Sequence, residues 1–266
     1  MTMIGQKNNI HMIEQWRKNK SVPRFIIIAG DEGSGRLTIA KVIRNMLGIS
    51  AVINDIGIDD VRRTIEYAYS YTTPTMYIFR DADDMSLFAK NALLKVVEEP
   101  PNDSYFVITV RNLDSILGTI RSRGTVIKME PYSRKELESF CNDSVMLRYF
   151  SNIGQLKTDI KDVKKAEDCV HDVFESLFDF RSGTKLLKSS TGIRGKKSEV
   201  DKVDGHLFMR VFEKNIIQVP TEKLPTNIVK HIEDCKRTIS KNSVNCKAAI
   251  ECMLISILED VRNELE

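Results

Sequence analysis

The sequence has few of the residues that build metal sites and disulfide frameworks. It contains 5 cysteines and 4 histidines among 266 residues. The cysteines are scattered and include no CxxC pair, which is typical of free thiols in a reducing compartment. The histidines are isolated as well, so we predict no metal site. The cysteines are Cys141, Cys169, Cys235, Cys246 and Cys252.

Long apolar runs are also missing. The first sixteen residues contain no apolar core followed by a small-residue cleavage site, so secretion is not expected. The longest early apolar run, Phe25 to Ala29, has the length of a strand and is far too short to cross a bilayer. We therefore expect a cytoplasmic protein without a membrane partner.

An excess of charge of one sign is absent from the chain as a whole. The 40 basic and 37 acidic residues leave a net charge of +3, which neither requires nor excludes nucleic acid. The segment 181–202 is more one-sided, with seven basic residues against two acidic ones. A solvated loop between helices and a contact with a DNA backbone are both compatible with that composition.

The order of apolar segments predicts an α/β fold followed by a helical region. Strand-like and helix-like segments alternate through the first half, which is the pattern of a parallel sheet covered by helices. After Pro131 the apolar periodicity is helical. The predicted strands are 24–30, 51–53, 75–79, 105–110 and 125–129. The predicted helices are 37–46, 59–69, 86–99, 133–141, 144–150, 155–179, 204–217, 225–240 and 244–264.

A glycine-rich turn, GDEGSGRLT, follows the first predicted strand. Gly30 and Gly35 have the separation found in the phosphate loop GxxxxGK[ST]. In such a loop, backbone N–H groups cradle phosphates, the lysine reaches the β and γ groups, and the hydroxyl binds Mg²⁺. Here Arg36 stands at the lysine position and Leu37 at the hydroxyl position. Leucine cannot bind Mg²⁺, and Thr38 is rotated away by about 100° on a helix.

The strand that should carry the acidic half of a nucleotide site is altered as well. In a working site this strand ends in Asp-Glu, where aspartate holds Mg²⁺ and glutamate polarises the attacking water. Here Arg80 takes the aspartate position and Asp81 the glutamate position. A cation at the metal position should repel the metal. We therefore expect no hydrolysis by this chain and interpret the turn as a relic phosphate loop. Its candidate nucleotide-binding residues are Gly30, Gly33, Gly35, Arg36 and Thr38, with Arg80 and Asp81 as a degenerate acidic motif.

Several segments, in order along the chain, resemble one protein family. The segment Asn91 to Pro101, NALLKVVEEPP, resembles the block after the acidic strand in bacterial clamp-loader subunits, which are AAA+ proteins of the DNA polymerase III holoenzyme. Ile4 to Gln6 is similar to their N-terminal box. Thr119 to Arg123 resembles their Ser-Arg-Cys motif, with Gly124 replacing the cysteine. Lys241 to Leu258 is similar to the last collar helix and the turn before it.

The resemblance implies three domains. An AAA+ parallel-sheet nucleotide-binding-type domain would cover residues 1–132, a small helical lid 133–162, and an all-α collar for oligomerisation 163–266. One helical stripe suits packing in a collar between subunits, and it equally suits the internal core of one helical domain. Its members are Ile250, Met253, Leu254 and Ile257.

The resemblance also implies a function and partners. The arginine of the Ser-Arg pair acts in trans in these rings, so Ser122 and Arg123 are candidate catalytic residues toward ATP bound by a neighbouring subunit. The alternative is that Arg123 is an ordinary surface arginine without a catalytic role. The chain itself would need no cofactor. Implied partners are the motor and wrench subunits of a hetero-pentamer, primed DNA held by backbone contacts, and the sliding clamp, contacted near 54–67.

Two other functions fit the same residues. The chain could be an active AAA+ ATPase with an unconventional arginine in its phosphate loop. It could also be an interaction scaffold in replication or repair, without any arginine finger. Residual nucleotide binding without hydrolysis is compatible with each of these functions.

Overall fold

The apolar run near residue 25 forms an inner strand of a parallel sheet. A computed structural model of the protein describes residues 4–101, 104–178, 186, 189–194, 202–239 and 245–265. The chain divides into two units, Met1–Lys157 and Thr158–Glu266. The sheet lies in the first unit, with strand order β2-β3-β4-β1-β5 and parallel pairing throughout. The strands are β1 Phe25–Ala29, β2 Ser50–Asn54, β3 Thr75–Phe79, β4 Tyr105–Val110 and β5 Thr125–Lys128.

The helices of the first unit cover both faces of this sheet. Side chains alternate along β1, because successive residues of a strand point to opposite faces. Phe25 and Ile27 pack in one core with residues of β3, β4 and the helices α3 and α4, whereas Ile26 and Ile28 pack in another with α1 and α2. The helices are α1 Lys7–Lys18, α2 Arg36–Leu47, α3 Ile58–Ser70, α4 Leu87–Glu98, α5 Gly118–Arg121, α6 Arg134–Phe140 and α7 Ser144–Tyr149.

The second unit is helical in its described part. Phe174 and Phe212 pack with their ring centroids 5.0 Å apart, and one isolated β-bridge joins Ile193 to Val203. Each residue of the stripe on the last helix is at most 4% exposed, so the stripe packs in the core of this unit. The helices are α8 Ile160–Phe178, α9 Gly205–Ile216, α10 Ile228–Ile239 and α11 Cys246–Leu265. The stripe consists of Ile250, Met253, Leu254 and Ile257.

The predicted fold class is confirmed as a parallel α/β sheet domain with a helical C-terminal region. The predicted start of a helix at residue 155 is wrong, because 155–157 form a single 3₁₀ turn and α8 begins at Ile160. Asp159 lies just before it, and its Oδ1 accepts a hydrogen bond from the N–H of Lys161. The three-part division 1–132, 133–162 and 163–266 stays a prediction.

The basic segment 181–202 lies mostly outside the described residues. In the part of the chain that is described, none of the helices combines the length and apolar character needed to span a membrane. All five cysteines are free thiols, and Cys169 and Cys235 are buried.

Candidate functional site

The glycine-rich turn lies between β1 and α2, as predicted. Gly33 and Gly35 have φ angles of 77° and 96°, a left-handed conformation that favours glycine. Gly35 is the N-cap residue of α2. A Cβ added to Gly30 would lie 2.5 Å from the Cβ of Met129, just beyond β5. The turn therefore depends on glycine both for its backbone conformation and for its close packing.

Three consecutive carbonyl groups of the turn are engaged by residues far along the chain. The Tyr132 hydroxyl donates to the carbonyl oxygen of Ser34 at 2.9 Å. The Gly154 N–H donates to the carbonyl oxygen of Gly33 at 2.9 Å, and Asn152 Nδ2 donates to that of Glu32 at 3.2 Å. We call residues 152–155 the closing segment. Its contacts hold the turn in one conformation.

Gly154 brings the closing segment into backbone contact with the turn. A Cβ added there would lie 2.5 Å from Gly33 Cα and 2.8 Å from Gly33 O. Backbone atoms cannot rotate away as a side chain can, so we expect Gly154→Ala to lower the free energy of unfolding by about 1–3 kcal/mol. Urea unfolding measures this loss, and hydrogen exchange should show faster exchange at residues 30–35.

Gly118→Ala is the matched control for this substitution. Gly118 is the first residue of α5, and an added Cβ would meet nothing within 4 Å. Alanine is the better helix former, so the control should be neutral or slightly stabilising. Equal losses for Gly154→Ala and Gly118→Ala would show that the backbone contact does not hold the turn.

The two altered halves of the predicted nucleotide site contact each other. Arg36 Nη2 lies 2.9 Å from Asp81 Oδ1, and the arginine side chain is only 10% exposed. Asp81 itself has a left-handed backbone, with φ 51°, and its N–H donates to Thr109 Oγ1 at 3.0 Å. Arg80 is exposed. Sequence reasoning identified Arg36 and Asp81 as altered, but not as partners of one another.

The turn keeps hydrogen-bonding capacity that this pairing does not use. Ser34 Oγ and Arg36 Nη1 are buried and have no hydrogen-bond partner among the residues that the structure describes. Such groups, at the N-terminus of a helix, could hold an anion. Hydrolysis also needs a magnesium ligand. Leu37 occupies the position at which the phosphate loop has Ser or Thr, and the Thr38 hydroxyl lies one residue beyond it.

A second carboxylate, which sequence reasoning did not assign, links the ends of β3 and β4. Asp83 Oδ2 accepts from the Arg111 N–H at 2.7 Å, and Oδ1 accepts from the Asn112 N–H and the Ser115 hydroxyl, both at 2.9 Å. Lys90 Nζ donates to the carbonyl oxygens of Asp83 and Ser115 at 3.1 and 2.9 Å. In the sequence, this network could have been suspected from Lys90, a basic residue among the apolar positions of α4.

Burial and hydrogen bonding have opposite effects on the acidity of Asp83. Burial raises the pKa of this carboxyl group, but the N–H groups of Asn112 and Arg111 and the Ser115 hydroxyl stabilise the charged form. The hydrogen bonds outweigh the burial, so the pKa of Asp83 lies below its ordinary value. The loop that follows β4 is thereby fastened to the loop that follows β3.

The Ser-Arg pair follows the short helix α5 and precedes β5. Arg123 is 45% exposed; its Nη2 lies 3.3 Å from Glu98 Oε1, and its Nη1 donates to the Thr119 carbonyl at 3.0 Å. The Ser122 hydroxyl donates to the same carbonyl at 3.2 Å. Ion pairs this exposed contribute little, so the Arg123 guanidinium can leave Glu98 at low cost.

Gly124 occupies the position at which the resembled motif has cysteine. A Cβ added there would lie 2.8 Å from the side chains of both Phe25 and Ile27 on β1. The absence of a side chain therefore lets the chain pass close to β1 directly after Arg123. The departure from the motif has a packing explanation.

The sequence matches known proteins of DNA replication machinery. The family described as DNA polymerase III, delta subunit, matches residues 43–133. Replication factor C subunit 3 of Schizosaccharomyces pombe is 31% identical over 150 residues, covering 51% of this chain and 44% of that protein. DNA polymerase III subunit gamma of Buchnera aphidicola subsp. Schizaphis graminum is 26% identical, covering 52% and 47%. The chain thus spans less than half the length of these two relatives.

A longer sequence match and two solved structures extend the similarity over most of the chain. A replication factor C small subunit of Sulfurisphaera tokodaii is 21% identical over 97% of this chain and 84% of its own length. A DNA polymerase III gamma-subunit-related protein of Thermotoga maritima has a TM-score of 0.56 at 17% identity, covering 94% of this chain and 99% of that one. A RuvB variant of the same organism has a TM-score of 0.51 at 14% identity, covering 99% and 89%.

The parallel sheet with the glycine-rich turn between β1 and α2 is a fold that this chain shares with a solved gamma-subunit-related protein. Over the matched residues its sequence is similar to clamp-loader subunits of the AAA+ class. The matched residues 43–133 include two of the segments that resemble clamp-loader subunits, 91–101 and 119–123, and the resemblance is confirmed there at the level of this family.

Proposed function

We propose that the chain is a delta-prime-like subunit of the DNA polymerase III clamp loader that does not hydrolyse ATP itself. It would form a hetero-pentameric ring with motor and wrench subunits and help to place the sliding clamp on primed DNA during replication. The ion pair between Arg36 and Asp81 carries this proposal. The residues at the lysine and glutamate positions neutralise each other, which leaves no charged pair to act on a nucleotide and water.

In this proposal the chain contributes an arginine finger to its neighbour. Arg123 would reach the γ-phosphate of ATP bound by the adjoining subunit, with Ser122 beside it. Its exposure and its weak pair with Glu98 support this role, because the guanidinium is free to change partners. The chain would hold no nucleotide of its own, so it would need neither ATP nor a metal ion as a cofactor.

Other partners follow from the same proposal. The sliding clamp would be contacted near 54–67, where Tyr67 is 51% exposed and Arg63 is 62% exposed in its side chain. Primed DNA would be held through backbone phosphates, which require basic side chains but no fixed geometry. Such a complex would act in the cytoplasm.

A second candidate function is an active ATPase with an arginine in its phosphate loop. The buried, unused Ser34 Oγ and Arg36 Nη1 favour it over a pure scaffold, since a phosphate group would satisfy both atoms. It would require Arg36 to leave Asp81 and reach the nucleotide. We rank it second because Leu37 stands where a magnesium ligand is needed.

Two measurements separate these functions. The isolated full-length chain is titrated with a fluorescent ATP analogue and assayed for turnover; we expect neither binding at about 1 mM nucleotide nor turnover. The chain is then co-purified with the motor and wrench subunits, and DNA-stimulated ATPase is compared with and without it. Turnover by the isolated chain that Arg36→Ala abolishes would establish the active ATPase instead. A chain that does not co-purify with the other subunits would refute the ring role.

A further inference from the structure

The free edge of the sheet carries a groove that the nucleotide site does not involve. β2 is one of the two edge strands, and among the described residues it pairs with β3 alone. Between β2 and α3 lies a cavity of about 530 Å³. Val52 on β2, Tyr67 on α3, and Tyr71 and Tyr77 are among the residues that line it. We call this the edge groove.

β2 is unusually open for a strand of a parallel sheet. Such strands are normally covered on both faces, yet Ser50, Ala51, Val52 and Ile53 are all exposed. Val52 and Ile53 are 46% and 49% exposed. An exposed apolar edge strand presents unpaired N–H and C=O groups in a row, and only another extended chain can match them along their whole length.

Tyrosine rings form the wall of the edge groove opposite β2. Tyr67 and Tyr71 have ring centroids 5.7 Å apart and are 51% and 58% exposed. Aromatic rings that share a concave surface with apolar residues are characteristic anchors of protein interfaces. Tyr77, on β3, is only 7% exposed and forms part of the floor. Backbone and side-chain requirements therefore point to the same kind of ligand.

The charges along the edge groove narrow the choice of ligand. Asp55, directly after β2, and Asp60 line the groove, and the single basic lining residue is Arg63. Arg63 lies 3.5 Å from Asp60, so among the described lining residues Asp55 is the acidic side chain without a basic neighbour. A second copy of β2 paired in parallel, with the sequence SAVIN followed by aspartate, would bring another aspartate to that end rather than a basic residue.

We propose that the edge groove binds an extended peptide segment of a partner protein, which adds a sixth strand next to β2. The segment carries apolar or aromatic side chains at alternate positions, facing Tyr67 and Tyr71, and a lysine or arginine near Asp55. Strand addition gives affinity through the backbone and specificity through alternate side chains. The edge groove shares Arg63 and Tyr67 with the surface that the proposed function gives to the sliding clamp. The inference adds to that proposal a mode of binding, strand addition, and it does not depend on Arg123 or on the nucleotide site.

The test uses four labelled eight-residue peptides and the full-length chain. Each peptide alternates threonine with one of Val, Ile, Phe or Tyr and ends in arginine, and binding is followed by fluorescence anisotropy. We expect a Kd of roughly 10–100 μM for at least one peptide. Hydrogen exchange at residues 50–54 should slow when that peptide is bound, because those backbone groups gain partners.

A double variant and a single-residue control test whether the tyrosines of the edge groove contact the peptide. The double variant Tyr67→Ala/Tyr71→Ala should weaken binding at least tenfold, and circular dichroism checks its fold. Tyr69→Ala is the matched control and should change binding less than twofold. Tyr69 lies on the same helix and is 39% exposed, but its hydroxyl donates to the Glu99 carbonyl and its ring lies beneath Lys95.

Backbone methylation of the peptide leaves the protein unchanged and gives the decisive result. N-methylation at alternate residues whose N–H groups face β2 should abolish binding, while methylation at the intervening residues should leave it intact. Three results would overturn the proposal. These are no binding of any of the four peptides at about 1 mM, equal sensitivity to methylation of both sets, or self-association of the chain through the edge groove.

Discussion

Arg123→Ala is expected to slow ATP hydrolysis at the adjoining subunit's site by roughly 10³-fold or more in an assembled clamp-loader ring. An arginine finger stabilises charge that develops on the transferred phosphoryl group, so its loss affects the chemical step rather than assembly. The substitution removes one exposed ion pair with Glu98, so the chain itself should stay folded.

The measurement should isolate the one site that Arg123 would complete. Rings are assembled in which the other motor subunits carry an inactivating change of the phosphate-loop lysine, and single-turnover hydrolysis is followed with primed DNA present. Arg121→Ala is the matched control: Arg121 is 48% exposed and pairs with Asp114 at 2.8 Å. Normal hydrolysis by an intact Arg123→Ala ring, or equal losses in both variants, would exclude the finger role.

Asp83→Ala is expected to lower the free energy of unfolding by about 2–4 kcal/mol at pH 7, because three hydrogen bonds to a mostly buried carboxylate are lost together. The Asp83 side chain is only 10% exposed. After the substitution, the N–H groups of Arg111 and Asn112 lose their acceptor, and the loop after β4 loses its attachment to the loop after β3. Urea unfolding of the two proteins measures the difference.

The pH dependence of this difference has a defined sign. The pKa of Asp83 is lower in the folded protein than its ordinary value, since the hydrogen bonds outweigh the effect of burial. The stabilisation is therefore complete above the unfolded pKa of about 3.9, and it is lost as the pH falls through the folded value. The difference in the free energy of unfolding between Asp83→Ala and the unsubstituted chain should therefore decrease below about pH 4.

Asp114→Ala provides the comparison for this prediction. The Asp114 side chain is 82% exposed and makes one ion pair, with Arg121, so its removal should change stability little at any pH. If Asp83→Ala is no more destabilising than Asp114→Ala at pH 7, the Asp83 network does not fasten the two loops.

The sheet was predictable from the sequence because its strands are short apolar runs between glycine, proline and polar residues. β1, Phe25–Ala29, is apolar on both faces, as buried parallel strands are. α1 was not predicted, because Lys7–Lys18 is mostly polar and buries only Asn9 and Ile13. A helix with so narrow an apolar stripe is fixed by its packing on the sheet rather than by its own pattern.

The sequence allowed the individual residues of the candidate site to be predicted, but not which of them contact each other. Arg36 and Asp81 stood out because each replaces a residue that nucleotide chemistry requires, yet they are 45 positions apart and nothing local pairs them. The contact of Gly154 with Gly33 joins positions still farther apart. Such contacts depend on how the elements pack in space, which local sequence patterns do not encode.

Under the proposed non-hydrolysing function, the ion pair between Arg36 and Asp81 would also make the loss of ATP hydrolysis hard to reverse. A single return of residue 36 to lysine replaces a planar guanidinium by a point charge with a different reach, and a return of Asp81 to glutamate lengthens its partner. Either step disturbs a pair whose arginine is 10% exposed, and neither restores a magnesium ligand. Under that proposal, a chain with either single substitution would be less stable and still inactive, so hydrolysis could return only through several substitutions together.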